Sequence, residues 1–439
     1  MEIWVVMFIL LLVLFVGTPV AFGLGFVAVV SILLYLSPSQ LIQIGNIAYS
    51  QGTNMNQLVA PLFILMAEVL ARGGMAADLF TVMSKWLRRI QGGLAISATL
   101  ACTIFAALCG SSPATAAAIG RISIGEMIKH NYRDDFAAGV VAAGGTLGIM
   151  IPPSIPLVVY GIMTENSIAK LFIAGIVPGL ITSFLLCIFI FLRARLQPEL
   201  ITAQSCTDDV PLRPDPLAHF HQSILTELKV FIPPFILILI IMGSLYTGLA
   251  TPTEASGFGA MGAIALVIVL GRWTFGSFFE SLYATAKTST MIFFLIFGGM
   301  ALSYVVSYMG IPHDIAKLIV ELGVNRWVFI LCVYILWFIL GCLMDPMSMI
   351  VLTIPLLYPT FTALKFDPIW VGIVTTLSVE IGMVTPPVGF NLFVLASTTN
   401  VPMSRIIRGT VPFLIVLVLA LVLFTVFPEI VLFLPSRAM

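Results

Sequence analysis

Long apolar runs alternate with short polar or Gly/Pro-rich breaks along the whole chain. A bilayer core is about 30 Å thick, so a spanning helix needs about 20 apolar residues. Residues 1–36 are too long for one ordinary span, and Gly17-Thr18-Pro19 interrupts them. They read either as two half-length pieces or as one kinked, tilted helix. Residues 37–57 are more polar, with Gln40, Gln43, Asn46, Gln51, Asn54 and Asn56, and read as surface. A span follows at 58–72. Residues 74–90 pattern as an amphipathic interfacial helix, with Leu79, Val82, Met83 and Trp86 on one side and Lys85, Arg88 and Arg89 at the polar end.

The next apolar stretches are broken in the middle. Residues 94–128 are interrupted by Gly110-Ser111-Ser112-Pro113, and 134–165 by Pro152-Pro153-Ser154-Ile155-Pro156. Residues 168–192 form an unbroken span, and 196–227, rich in Pro, Asp and His, is a soluble loop. Spans at 229–250, 253–271 and 281–308 follow, then an interfacial stretch at 310–325. Residues 327–363 are broken at Asp345-Pro346 and 368–397 at Pro386-Pro387, and a last apolar segment covers 404–434. The expected organisation is a scaffold of N-terminal and interfacial helices over 1–90, a first repeat over 91–195, a cytoplasmic loop over 196–228, scaffold helices over 229–308 and a second repeat over 309–439.

The two broken regions repeat each other. A shift of 234 residues puts Val140 on Val374, Gly148 on Gly382 and Pro152-Pro153 on Pro386-Pro387. It also puts Asn166 on Asn400, Gly175 on Gly409 and Pro178 on Pro412. After a small gap Gly110 pairs with Gly341 and Pro113 with Pro346. Paired prolines with matched spacing to the preceding glycines are not expected of unrelated apolar stretches.

Composition confirms the setting. Of 439 residues, 60% are hydrophobic and 9% charged, with a mean hydropathy of +1.13. Soluble chains carry about 25% charged residues, so a soluble enzyme, a nucleic-acid binder and a disordered chain are excluded. The fold class is an all-α polytopic membrane protein. Its start, Met1-Glu2-Ile3, lacks the basic region and cleavage site of a signal peptide and reads as a retained membrane segment. The six cysteines form no CxxC and need no role beyond packing.

Net charge is zero, but its placement orients the repeats. Each stretch broken by Gly and Pro, 94–128 and 327–363, is read as a re-entrant hairpin that leaves on the side it entered. With 85–89 inside, the inside then holds 15 of the 20 Lys and Arg and the outside 5. An odd number of crossings separates the hairpins, so the first opens inward and the second outward, an inverted repeat.

Inverted repeats with broken helices at corresponding positions are the pattern of secondary transporters. Non-helical backbone at membrane depth is tolerated only inside protein or beside a water-filled cavity. Each Pro-Pro pair removes two N–H donors and frees carbonyls that can hold a cation. The tip Gly110-Ser111-Ser112-Pro113-Ala114-Thr115 offers hydroxyls and backbone oxygens suited to Na⁺. The second tip, Gly341 to Ser348, carries Asp345, an ionisable group at membrane depth and so a functional candidate. Candidate substrate-binding side chains are Ser112, Thr115, Ser154, Asp345, Asn391 and Arg121. Alternatives stand beside these readings. Asp345 could pair locally at the hairpin surface, and Glu380, which faces the tips, could pair with a basic partner. Gly144, Gly145, Ser97 and Ser123 serve helix packing equally well. His219 and His221 lie in a solvated loop without further ligands. There is no HExxH, P-loop or nucleophile elbow, and the missing P-loop argues against an ATP-driven pump.

The motifs Gly17-Thr18-Pro19-Val20-Ala21-Phe22, Gly110-Ser111-Ser112-Pro113-Ala114-Thr115-Ala116-Ala117, Gly148-Ile149-Met150-Ile151-Pro152-Pro153-Ser154 and the run from Glu380 to Asn391 resemble the large membrane subunit of TRAP transporters, the tripartite ATP-independent periplasmic systems. The resemblance covers essentially the whole chain. It implies an elevator transporter working with a small four-helix membrane subunit and a periplasmic substrate-binding protein in a bacterial inner membrane. The implied substrate is an organic anion carrying a carboxylate, driven by at least two Na⁺. It places one Na⁺ site on Gly110, Ser111, Ser112, Gly148 and Ile151, and the other on Gly341, Gly382 and Thr385. Arg121 departs from the family pattern; it either contacts the anion or snorkels to the cytoplasmic face. Two rivals remain: a stand-alone carboxylate carrier or antiporter with the same hairpins, and an intramembrane enzyme using Asp345 and Glu380 as a carboxylate pair.

Overall fold

The computed structural model describes residues 16–201, 224–321, 323–386 and 389–437, together with Val6, Ile9, Leu10, Leu12 and Val13. These residues form helices joined by short turns, with no strand among them. Seven of the described helical segments are long and apolar enough to cross a membrane.

The chain begins its first well-bounded helix after the Gly17-Thr18-Pro19 break. Helix α1 (Val20–Tyr35) starts directly behind Pro19, and Gly17 takes a positive φ of 84°. The break therefore separates two pieces, the first of which lies largely outside the described residues. Polar residues 37–57 form short helical turns around α2 (Ile42–Gly52), none of whose residues is buried. Helix α3 (Val59–Arg72) leads to α4 (Met75–Leu87), which buries Met75, Leu79, Val82 and Met83. Trp86, expected on that face, is instead half exposed and meets the Phe231 ring at 5.1 Å.

The first hairpin is α5 (Gly93–Cys109) and α6 (Ser112–Lys129), turned by Gly110 and Ser111. Gly110 has φ +63°, a conformation that suits glycine. The first broken helix follows as α7 (Asp134–Gly145), α8 (Leu147–Met150) and α9 (Ile155–Thr164). Between α8 and α9 the Pro152–Pro153 bond is cis. Helix α10 (Ile168–Leu196) is a continuous span despite Pro178. Most of the expected loop, 202–223, lies outside the described residues. Helices α11 (Ile224–Tyr246), α12 (Pro252–Val269) and α13 (Phe275–Tyr308) follow. Helix α13 begins six residues before the expected 281, because Thr274 accepts a hydrogen bond from Ser277 N at 3.2 Å and starts it there. Its 34 residues rise about 51 Å, well beyond a hydrocarbon core.

The amphipathic α14 (Ile311–Glu321) precedes the second hairpin, α15 (Arg326–Gly341) and α16 (Pro346–Ala363). The second broken helix is α17 (Pro368–Met383) and α18 (Phe390–Thr398). The expected break at Pro386-Pro387 falls in their junction, although Pro387 and Val388 lie outside the described residues. The terminal segment divides at Pro428 into α19 (Met403–Val426) and α20 (Pro428–Leu432), since proline cannot donate to the preceding turn.

Two sets of helices pack as groups. Helix α13 lies along α1 and α3, and α12 along α3. Arg272 ties this group together by pairing with Asp78 and donating to the Gly73 carbonyl at 2.9 Å, and Arg72 pairs with Glu280 at 2.5 Å. The other group holds both hairpins and both broken helices. In it α7 packs along α19, α6 along α7 and α18, and α15 along α17. Within the second hairpin Trp337 Nε1 donates to Thr353 Oγ1 at 3.0 Å. Thr103 of α5 and Ser183 of α10 share a buried hydrogen bond of 2.6 Å.

Candidate functional site

Each hairpin tip meets its own broken helix at a glycine. A Cβ on Gly148 would lie 2.7 Å from the Ser111 carbonyl oxygen and 2.7 Å from Ser112 Cα. A Cβ on Gly341 would lie 2.6 Å from Gly382 Cα, and one on Gly382 2.7 Å from Gly341 Cα. Gly148 and Gly382, matched in the sequence repeat, thus occupy matching places at contact with a tip backbone, whereas Gly341 abuts Gly382 and its repeat mate Gly110 lies against the Pro153 carbonyl. Gly110 also joins the break of its own repeat: Ile155 N donates to its carbonyl at 3.3 Å.

Four helices begin at these junctions, and their N-termini differ in how they are satisfied. Ser154 caps α9 by accepting from Leu157 N at 3.4 Å. Asp345 caps α16, accepting from Met347 N and Ser348 N at 3.1 Å each, and also holds the Ser348 hydroxyl. Helices α6 and α18, behind Ser111 and Gly389, have no side-chain cap. A helix N-terminus carries about half a positive charge, so these two ends are open to an anionic group.

One such group is already there. Glu380, in the last turn of α17, is fully buried (0% exposed), as are Ser112 and Asn391. Ser112, the first residue of α6, donates its hydroxyl to Glu380 Oε2 at 3.0 Å. Asn391, the second residue of α18, donates Nδ2 to Ser112 Oγ at 2.5 Å and reaches Glu380 Oε2 at 3.5 Å. The first hairpin and the second broken helix are thereby joined. Glu380 Oε1 and Asn391 Oδ1 are buried without a hydrogen-bond partner.

The expected substrate residues divide accordingly. Ser112 and Asn391 come together, and Thr115 is fully buried one turn further along α6. Ser154 is buried as a helix cap. Asp345 does not stand as a free ligand: both carboxylate oxygens are engaged by its own helix, the local pairing left open above. Arg121 is exposed on α6, nine residues or about 13 Å beyond Ser112, and does not reach the cluster. Glu380 has no basic partner among the described residues; its partners are the neutral Ser112 and Asn391. Its position mid-span marked it as ionisable, but only the fold brings residues 112 and 391 to it.

Of the residues expected to hold Na⁺, Gly110, Ser111, Ser112 and Gly148 adjoin one another. Ile151 is buried, and its side chain lies against Gly179 of α10. In the second set Gly341 abuts Gly382, and Thr385 donates its hydroxyl to the Ile381 carbonyl at 2.5 Å and its N–H to the Gly382 carbonyl at 3.0 Å. Both sets offer neutral oxygens, the donor type a hard monovalent cation takes.

A family profile described as "Tripartite ATP-independent periplasmic transporter, DctM component" matches residues 5–430. The chain belongs to this DctM family. It is 36% identical over 415 residues to the C4-dicarboxylate TRAP transporter large permease protein DctM of Pseudomonas aeruginosa, covering 94% of each chain. It is 33% identical over 385 residues to the ectoine/5-hydroxyectoine TRAP transporter large permease protein UehC of Ruegeria pomeroyi, covering 87% of this chain and 86% of that one. Its fold is similar to the crystal structure of the Alcanivorax borkumensis YdaH transporter, with a TM-score of 0.65 and 14% identity over 96% of this chain and 98% of that one. The resemblance noted from the motifs is borne out. A DctM-family chain is a multi-pass transporter permease, and the reading as an intramembrane enzyme loses its second carboxylate, since Asp345 is a helix cap.

Proposed function

We propose that this DctM-family chain is the large membrane subunit of a Na⁺-coupled importer of an organic anion. The substrate class is a carboxylate, dicarboxylate or sugar acid, delivered by a periplasmic substrate-binding protein. A small four-helix membrane subunit completes the complex in a bacterial inner membrane. The relatives named above differ in the substrates their names give, so the binding protein makes much of the selection. The carboxylate class is supported by the uncapped N-termini of α6 and α18, which offer dipoles to an anion.

The observation that carries the reading is the paired junction: two hairpin tips, each seated on the glycine of a broken helix, at Gly148 and at Gly382. Close backbone contact of this kind lets neutral carbonyl and hydroxyl oxygens surround Na⁺. Transport then follows an elevator mechanism, in which the group holding both hairpins moves against the α1, α3, α12 and α13 wall. The Lys/Arg bias orients the two hairpins to opposite sides.

Uptake in proteoliposomes tests this. The vesicles contain the chain and its small subunit, with the binding protein loaded with a labelled carboxylate outside. Uptake that requires both an inward Na⁺ gradient and the binding protein is expected. Uptake without the binding protein would favour the stand-alone carrier. Ser112→Ala and Thr385→Ala should each raise the Na⁺ needed for half-maximal uptake by about tenfold, the order of loss seen when a metal site is weakened. Unchanged Na⁺ dependence in both would remove the assignment of the two ion sites.

A further inference from the structure

We propose that Glu380 and Asn391 form a third Na⁺ site, beside Ser112, at the seam between the two repeats. The inference rests on the transporter reading above and adds a charged site to its two neutral ones.

Three observations carry it. Glu380 is completely buried and meets no basic side chain among the described residues. The side chains that bond to it are Ser112 from α6 and Asn391 from α18. From the other helices packed on α17, namely α8, α9, α10, α15, α16, α19 and α20, no charged or titratable side chain bonds to it among the described residues. A buried charge without a partner is strongly unfavourable, and an ionisable residue at membrane depth marks function by default. Second, two acceptor oxygens in this one cluster, Glu380 Oε1 and Asn391 Oδ1, are buried and unbonded. Oxygens need an electropositive partner, and a single Na⁺ serves both. Third, the donors that bond the cluster lie on the Oε2 side: the Ser112 hydroxyl donates to that atom at 3.0 Å, and the Asn391 amide donates to Ser112 Oγ at 2.5 Å and reaches Oε2 at 3.5 Å. What is missing is therefore positive charge on the Oε1 side.

The site also bears on the substrate. A carboxylate brought to the open ends of α6 and α18 would place a second negative charge beside Glu380. A cation held by Glu380 removes that repulsion, so cation binding precedes or accompanies substrate binding. Binding of each then strengthens the other by the same factor.

The test is thermal unfolding of the purified full-length chain in detergent. NaCl is titrated against choline chloride at constant ionic strength and pH, for wild type, Glu380→Gln and Asn391→Ala. Glu380→Gln is expected to lower the cooperativity of Na⁺ stabilisation by about one ion, and Asn391→Ala to raise the half-maximal Na⁺ concentration by about tenfold. A Na⁺ titration of Glu380→Gln identical to wild type overturns the proposal. Should Glu380→Gln fail to fold, Asn391→Ala carries the same comparison. No uptake is read here. Failure of the seam site therefore leaves Na⁺-driven import to its own experiment, and failure of import leaves cation binding measured.

Discussion

Asp345 and Glu380 are both carboxylates at membrane depth, yet they do opposite things. Asp345 precedes Pro346 at the first turn of a helix, where the N–H groups of Met347 and Ser348 occupy Oδ2 and the Ser348 hydroxyl holds Oδ1. That role was legible in the sequence, since an Asp directly before a Pro-initiated helix is an N-cap pattern. Asp345→Ala should cost about 1 kcal/mol of stability, the usual loss of a cap, measurable as a lower unfolding midpoint. Asp345→Asn, itself a good cap, should keep both stability and uptake; uptake abolished in Asp345→Asn would return the residue to the substrate site. Glu380 could be recognised as ionisable from its place in an apolar run. Its partners could not be, because Ser112 is 268 residues away and no periodicity links them. Arg121 lies nine residues along α6 from Ser112, so proximity in sequence to the tip becomes about 13 Å of distance once the residues lie on a helix.

The helices themselves were largely readable, because apolar length, Gly and Pro decide them. Both hairpins, both broken helices and the long α10 lie where the breaks place them. The misses have local causes. Pro428 divides the terminal segment, and Thr274 starts α13 early. Trp86 sits outside the buried stripe of α4. Less readable was how closely the elements approach. The glycine matches of the repeat, 148 with 382, become intelligible only when each is found pressed against a hairpin tip. Gly148→Ala and Gly382→Ala should each strain that seam by about 1–3 kcal/mol, the range for overpacking a tight contact. The expected result is a lower unfolding midpoint together with weaker Na⁺ dependence of stability. Gly125→Ala, where a Cβ meets nothing within 4 Å, is the control: it should not lower the midpoint, since Ala suits a helix interior better than Gly, and it should leave the Na⁺ dependence unchanged.

At the level of the whole molecule, the charge bias makes a claim that helix positions do not. It puts residues 121–133 and 398–408 on the inside and Lys170 and Lys365 outside. Lys129, Lys170 and Lys365 are all exposed, so each can be replaced by cysteine and probed with a membrane-impermeant maleimide in intact cells. Lys170→Cys and Lys365→Cys should label, and Lys129→Cys should label only after the membrane is opened. Equal labelling of all three in intact cells would sink the inverted arrangement. The background must be free of Cys332, which is itself exposed.

The bond between Ser112 and Glu380 also orders events at the ribosome. When the first hairpin and its broken helix are complete, the Ser112 hydroxyl still has no carboxylate to receive it, and Asn391 is later still. A large multi-segment chain folds in the order of its synthesis, so the first half waits in the bilayer with an unfinished tip. A product that stops before Glu380 keeps both hairpins and the first broken helix, but it lacks Glu380, the charged group of the seam, and Asn391. Such fragments should insert and yet be cleared by membrane proteases, whereas co-expression of the missing C-terminal segment should protect them.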